Sequence, residues 1–244
     1  MNASVSNKRV WWLSAVLVLV IVLGIAFGRT LLDAVEPTSP AMKAAIANEA
    51  VKIAATNGRV ERKRQKLLFH VDGGKTITLK NEEACGDKDG QPDPDQCVSY
   101  RFVNAYPDQD GLLVHVTRFG GSLYTWINGK SGQTYDLCEQ PRFSQGGDRF
   151  ILVGAARETE SCPNDIEVWG VSGPEMKREF AFQYPDATLC CQLKEWRDED
   201  HALLSGGAYE GQAVIDAQVI VEREDGAWHV KRSTDGGNTF VLLP

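Results

Sequence analysis

From residue 67 onward the chain is cut into short runs rich in β-branched and aromatic residues, each closed by Gly, Asp or Pro. "LLFHV" and "KTITLK" flank Asp72-Gly73-Gly74, and "CVSYRFVNAY" and "GLLVHVTRF" flank "PDQD". "SLYTWI", "RFILVG", "DIEVWGV", "EFAFQY", "HALLSGG", "AQVIVERE" and "AWHVKRS" continue the series. Strands spaced by about 8–12 residues with such turns predict a mainly β domain, an all-β sandwich, barrel or propeller. A helical period occurs only before this region. In "AMKAAIANEAVKIAATNG", Met42, Ala45, Ile46, Ala50 and Ile53 recur every three or four residues. Ser39 is placed to cap this short amphipathic helix, Pro40 to open it and Asn57-Gly58 to end it.

Nearer the N-terminus, residues 10–28, "VWWLSAVLVLVIVLGIAFG", carry no charge. At about 1.5 Å per residue the stretch reaches roughly 28 Å, close to a bilayer core. Trp11 and Trp12 suit the lipid interface, and Lys8-Arg9 predict an N-terminus held inside. The expected organisation is a cytoplasmic tail over 1–9 and a transmembrane signal anchor over 10–28. A linker and short helix fill 29–58, and an exported all-β domain fills 59–244. A cleaved signal peptide ending near Gly24-Ile25-Ala26 is the alternative. The expected location is a bacterial inner membrane, crossed once, with the C-terminal domain in the periplasm.

The formal charge is −7. Lys8 and Arg9 lie before the anchor, so the exported part is more acidic still, which argues against a nucleic-acid partner. The basic run "RVERKRQK", 59–66, is read as a solvated face, with lipid headgroups or an acidic partner as alternatives.

All six cysteines follow the anchor. In an oxidising compartment Cys85, Cys97, Cys138, Cys162, Cys190 and Cys191 form up to three disulfides. Cys85 and Cys97 are expected to close "CGDKDGQPDPDQC" on itself. Neighbours in a strand point to opposite faces, so Cys190 and Cys191 are expected to seek separate partners, Cys138 and Cys162, with a vicinal bridge as the alternative. The same Asp-rich loop offers Asp87, Asp89, Asp93 and Asp95 as a candidate calcium site. It departs from the EF-hand pattern, with Cys85 at the first ligand position and Gln96 at the last. No cofactor other than calcium is suggested.

Two resemblances bear on the fold. "LYTWINGKSG" and "IEVWGVSG" both alternate into a tryptophan, and Trp126 and Trp169 are 43 residues apart. Between them "PRFSQGGDRFILVG" resembles the blade opening of WD-repeat-like propellers through Phe143, Ser144, Gly147 and Phe150 to Val153, while Gln145 and Gly146 depart from it. The resemblance covers about residues 122–174. The strand-rich region is long enough for about four blade-like units, so a small or partial β-propeller or a twisted β-sandwich is expected. "STDGGNTF" resembles the Asp-box of sialidases and other propellers through Ser233, Asp235, Gly237 and Thr239, with Phe240 in place of tryptophan. That likeness implies a structural staple set apart from any active site, with Phe240 buried under the turn. A sialidase would need a tyrosine nucleophile, a carboxylate and substrate-clamping arginines. Arg101, Arg118, Arg142, Arg149, Tyr124 and Tyr135 are of the right types, and no spacing singles out a set.

His70, His115, His201 and His229 are scattered, "RDEDH" at 197–201 reads as a hairpin tip, and neither Ser144 nor Ser205 lies in a Gly-x-Ser-x-Gly elbow. The expected function is a non-catalytic interaction module at the membrane, an accessory subunit of a larger complex with a protein partner. A calcium- or glycan-binding receptor and a sialidase-like hydrolase are the alternatives.

Overall fold

The computed structural model describes residues 40–82, 97–118, 121–154, 162–173, 175–184, 192–210 and 213–243. The expected anchor at 10–28 and the Ser39 cap lie outside the described residues. Among the described residues no helix is long and apolar enough to cross a membrane. The chain divides into two compact units, Met1–Asn48 and Glu49–Pro244.

Helix α1 spans Pro40–Ala54, opening on the expected proline. It ends where Asn57 and Gly58 take positive φ of 52° and 84°. The buried Thr56 hydroxyl donates to the Ile53 carbonyl (2.7 Å) and accepts from the Val60 amide (3.1 Å). Of the expected apolar stripe, Ile53 lies against an apolar cluster. A polar anchor stands beside it. Glu49 Oε1 accepts from Arg62 Nη2 at 2.6 Å and from the Phe102 amide at 2.7 Å. Arg62 therefore leaves the solvated face expected of the basic run, and that run forms the first strand and its turn.

Four antiparallel sheets follow one another in chain order. Sheet I holds β1 (Val60–Lys63), β2 (Lys66–His70) and β3 (Thr76–Lys80). Sheet II holds β4 (Val98–Tyr106), β5 (Gly111–Arg118), β6 (Gly121–Asn128) and β7 (Thr134–Leu137). Sheet III holds β8 (Arg142–Phe143), β9 (Arg149–Val153), β10 (Ile166–Ser172) and β11 (Glu175–Phe182). Sheet IV holds β12 (Gln192–Asp198), β13 (His201–Glu210), β14 (Ala213–Glu224), β15 (Ala227–Ser233) and β16 (Val241–Leu242). Each sheet is a meander of sequential neighbours, and the Asp72-Gly73-Gly74 and Pro107–Asp110 turns lie where their residues predict.

Apolar clusters join consecutive sheets. Leu67 and Phe69 of sheet I meet Phe102, Val114 and Val116 of sheet II. Leu113 and Trp126 of sheet II meet Phe150, Leu152 and Met176 of sheet III. Ile151, Ile166 and Val168 of sheet III meet Trp196, Leu204, Val221 and Trp228 of sheet IV. Each such side chain contributes about 1.5–3 kcal/mol when fully buried. Sheets II and III are thus covered on both faces, which is why "GLLV" and "FIL" are continuous apolar runs without alternation.

Cys138 bonds Cys162, with Cα atoms 5.5 Å apart. This corrects the expectation that each would pair with Cys190 or Cys191. Cys138 follows β7 and Cys162 precedes β10, and the packing of sheet II on sheet III brings these two ends together. Cys97 is disulfide-bonded. Cys85, Cys190 and Cys191 lie outside the described residues.

Candidate functional site

Arg149 opens β9 on the face turned to sheet IV. Its Nε donates to Glu179 Oε2 at 3.0 Å, and its Nη1 donates to Asp200 Oδ1 at 3.2 Å and to the Glu199 carbonyl at 3.3 Å. The guanidinium lies 5.7 Å from the ring centroid of Trp228, whose indole N–H donates to the same Glu179 oxygen at 3.1 Å. A β-bulge places Glu179 there. In β11 Phe180 pairs with Val168 and Arg178 with Trp169, so Glu179 is the extra residue. Gly170 leaves room for it, since a Cβ at 170 would stand 2.5 Å from Glu179 Oε1.

Glu199, in the β12–β13 turn, reaches back to sheet III. Its Oε2 accepts from the Ser144 hydroxyl at 2.5 Å and its Oε1 from the Gly146 amide at 2.6 Å. The "RDEDH" tip is therefore a clasp between sheets. Asp198 holds His201 at 2.7 Å, Asp200 holds Arg149, and Glu199 holds the β8–β9 turn. Within sheet III the buried Glu167 accepts from Asn164 Nδ2 (2.7 Å), Trp169 Nε1 (2.8 Å) and Arg178 Nη1 (3.1 Å). Sequence patterning gives no sign of Glu179 or Glu199 as anchors, because their partners lie 30 to 55 residues away. Glu167 takes two of its three partners from within three residues, on and just before its own strand.

Beside this clasp, an open cleft of about 480 Å3 runs between the β4–β5 turn and the segment from the end of β7 to the β8–β9 turn. Tyr106 and Phe143 form its aromatic wall, with ring centroids 5.0 Å apart and both rings half-buried. Asp108, Gln109, Gln140, Arg142 and Gln145 supply its polar edge. These five side chains make no hydrogen bond or ion pair with any described residue. Gly147, at φ 79°, lets the Gln109 amide lie over the turn, since a Cβ there would stand 2.2 Å from Gln109 Nε2.

Of the residue types considered for a sialidase, Arg101 and Tyr124 come onto one face. Arg101 stands opposite His115 and His115 opposite Tyr124, with the last two rings 5.0 Å apart. Burial, then Arg101, lowers the His115 pKa. Burial, then Glu139, raises that of Tyr124, and burial raises that of Glu139. No hydrogen bond among the described residues joins Tyr124 to Glu139. The other candidates are dispersed: Arg149 is in the clasp, Arg142 edges the cleft, Arg118 ends β5, and the Tyr135 hydroxyl accepts from the Met176 amide.

Residues 233–240 form a tight hydrogen-bonded turn between β15 and β16. The Ser233 hydroxyl donates to Asp235 Oδ1 at 2.5 Å and accepts from the Gly237 amide at 3.0 Å. Asp235 Oδ1 also accepts from the amides of Asn238 and Thr239, both at 3.0 Å. These bonds, led by the one from Ser233, lower the Asp235 pKa from 3.8 to about 2. Phe240 is half-buried, and Leu243 packs against the apolar cluster of sheets III and IV.

The candidate calcium ligands Asp87, Asp89, Asp93 and Asp95 lie outside the described residues. Among the described residues no group of three or more His, Cys, Asp or Glu is arranged to hold a metal. His201 and His229, distant in sequence, both stand opposite Glu222, but Lys231 is ion-paired with that carboxylate. No family profile matches this chain, and no curated protein matches it.

Proposed function

We propose that this chain is a membrane-anchored, extracytoplasmic interaction module without catalytic chemistry, an accessory subunit of a larger membrane complex. The observation that carries this reading is a division of labour among polar side chains. Arg149, Glu167, Glu179 and Glu199 are spent on joining and bracing sheets, whereas the edge of the cleft between sheets II and III is left free to bind. The Cys138–Cys162 bridge supports an oxidising compartment. The apolar stretch 10–28 supports anchoring.

The same reading takes the four sheets as blade-like units of a partial propeller. Trp126 on β6 and Trp169 on β10 each occupy the third strand of a four-stranded meander, which gives the two tryptophan segments equivalent places. Extraction of the full-length chain in mild detergent, followed by sizing, tests the function. Co-migration with a protein partner is expected, and a monodisperse monomer would overturn the accessory-subunit reading.

A further inference from the structure

The cleft between sheets II and III carries a more specific assignment, which rests on the interaction-module reading. We infer that it is a binding site for an uncharged saccharide. Its volume of about 480 Å3 falls within the roughly 300–1,000 Å3 usual for small-ligand sites. Its edge offers three carboxamides, Gln109, Gln140 and Gln145, each able to donate and to accept. A sugar hydroxyl has the same dual character, so neighbouring hydroxyls and amides satisfy one another in either sense.

The charges in the cleft balance. Asp108 and Arg142 are its one acid and one base, and neither is ion-paired with a described residue. A strongly anionic or cationic ligand gains little there, while each group forms charge-assisted hydrogen bonds to hydroxyls. The half-buried rings of Tyr106 and Phe143 give apolar faces against which the C–H face of a pyranose packs.

An extended peptide is the competing occupant, and the local backbone disfavours it. The strand lining the cleft, β8, is two residues long and follows Pro141. Its Arg142 carbonyl is already taken by the indole N–H of Trp196 at 2.9 Å. Too little free strand edge remains to template an added strand.

Calorimetric titration of the full-length chain with triacetylchitotriose and with maltotriose tests the assignment, with trigalacturonate and an alanine–glycine hexapeptide as comparators. The expected result is binding of an uncharged trisaccharide with a Kd of about 1 mM or tighter. The variant Gln140→Ala/Gln145→Ala, altered at exposed positions, should weaken it on the order of tenfold. Three results would overturn it: no response to either uncharged trisaccharide, preference for trigalacturonate or the peptide, or equal affinity in the double variant. If saccharide binding fails while the chain still co-migrates with a protein partner, the saccharide assignment falls and the interaction-module reading stands. Failure of both removes both.

Discussion

Gly111 lies against the indole of Trp126 so closely that a Cβ at position 111 would stand 1.8 Å from Cζ2 and 2.1 Å from Cη2. Trp126 is fully buried, stacked on Phe150 at 6.3 Å between ring centroids, and 5.3 Å from Tyr106. The glycine that opens β5 is thus fixed by packing, since only a missing side chain admits the indole that joins sheet II to sheet III.

Gly111→Ala should therefore destabilise the β domain by about 1–3 kcal/mol through overpacking. Urea unfolding followed by tryptophan fluorescence reads this as a lower midpoint at unchanged slope. In the background Trp126→Leu, itself destabilising, the alanine should cost much less. Equal costs in the two backgrounds would show that the contact does not limit the packing.

The clasp at Arg149 makes a second prediction. Arg149 is 16% exposed and its partner Glu179 26%, between the limits of a surface pair and a buried one. Arg149→Ala should cost roughly 2 kcal/mol. A double-mutant cycle with Glu179→Ala should leave a coupling energy of about 1 kcal/mol, and a coupling near zero would remove the pair as a brace across sheet III.

Cys138 and Cys162 are separated by 24 residues in sequence. In the chain-entropy description, closing a loop of that length stabilises the fold by about 3.5 kcal/mol. Cys138→Ser/Cys162→Ser should lower the unfolding free energy by a comparable amount. Mass spectrometry of unreduced peptides should recover the 138–162 cross-link, and cross-links from either residue to Cys190 or Cys191 would contradict the fold.

Asp235 ties stability to acid pH. Its pKa is held at about 2 against an ordinary 3.8, first by the Ser233 hydroxyl and then by the Thr239 amide. A depressed carboxylate adds stability above its unfolded pKa and loses it as pH falls through the folded value, so the change belongs between about pH 4 and pH 2. The Tm should fall across that window, and Asp235→Asn should lower the Tm at pH 5 and flatten the decline below pH 4. Parallel Tm profiles for the two proteins would show that the turn adds nothing to folding.

Much of the secondary structure was written locally. Asp72-Gly73-Gly74, Pro107–Asp110 and Asn57-Gly58 mark turns through the φ and hydrogen-bonding preferences of their own residues. Ser233 and Asp235 predict a self-bonded turn, because all the partners lie within six residues. The tryptophan-centred segments at 126 and 169 were legible as strands, and they are the third strands of sheets II and III.

The sequence by itself thus determined most of the strands, several of their turns and one helix, since these depend on neighbours a few residues apart, while Val60–Lys63 and Gln192–Asp198 were not legible as strands. Only the tertiary structure decided that Cys138 meets Cys162, that Glu179 bulges over Gly170 to hold Arg149, and that Glu199 reaches Ser144. The cleft walled by Tyr106 and Phe143 belongs to the same class. The Cys138–Cys162, Arg149–Glu179, Ser144–Glu199 and Tyr106–Phe143 meetings each join residues more than twenty positions apart, and they are set by how buried sheet faces stack, a many-body packing outcome that no local periodicity encodes.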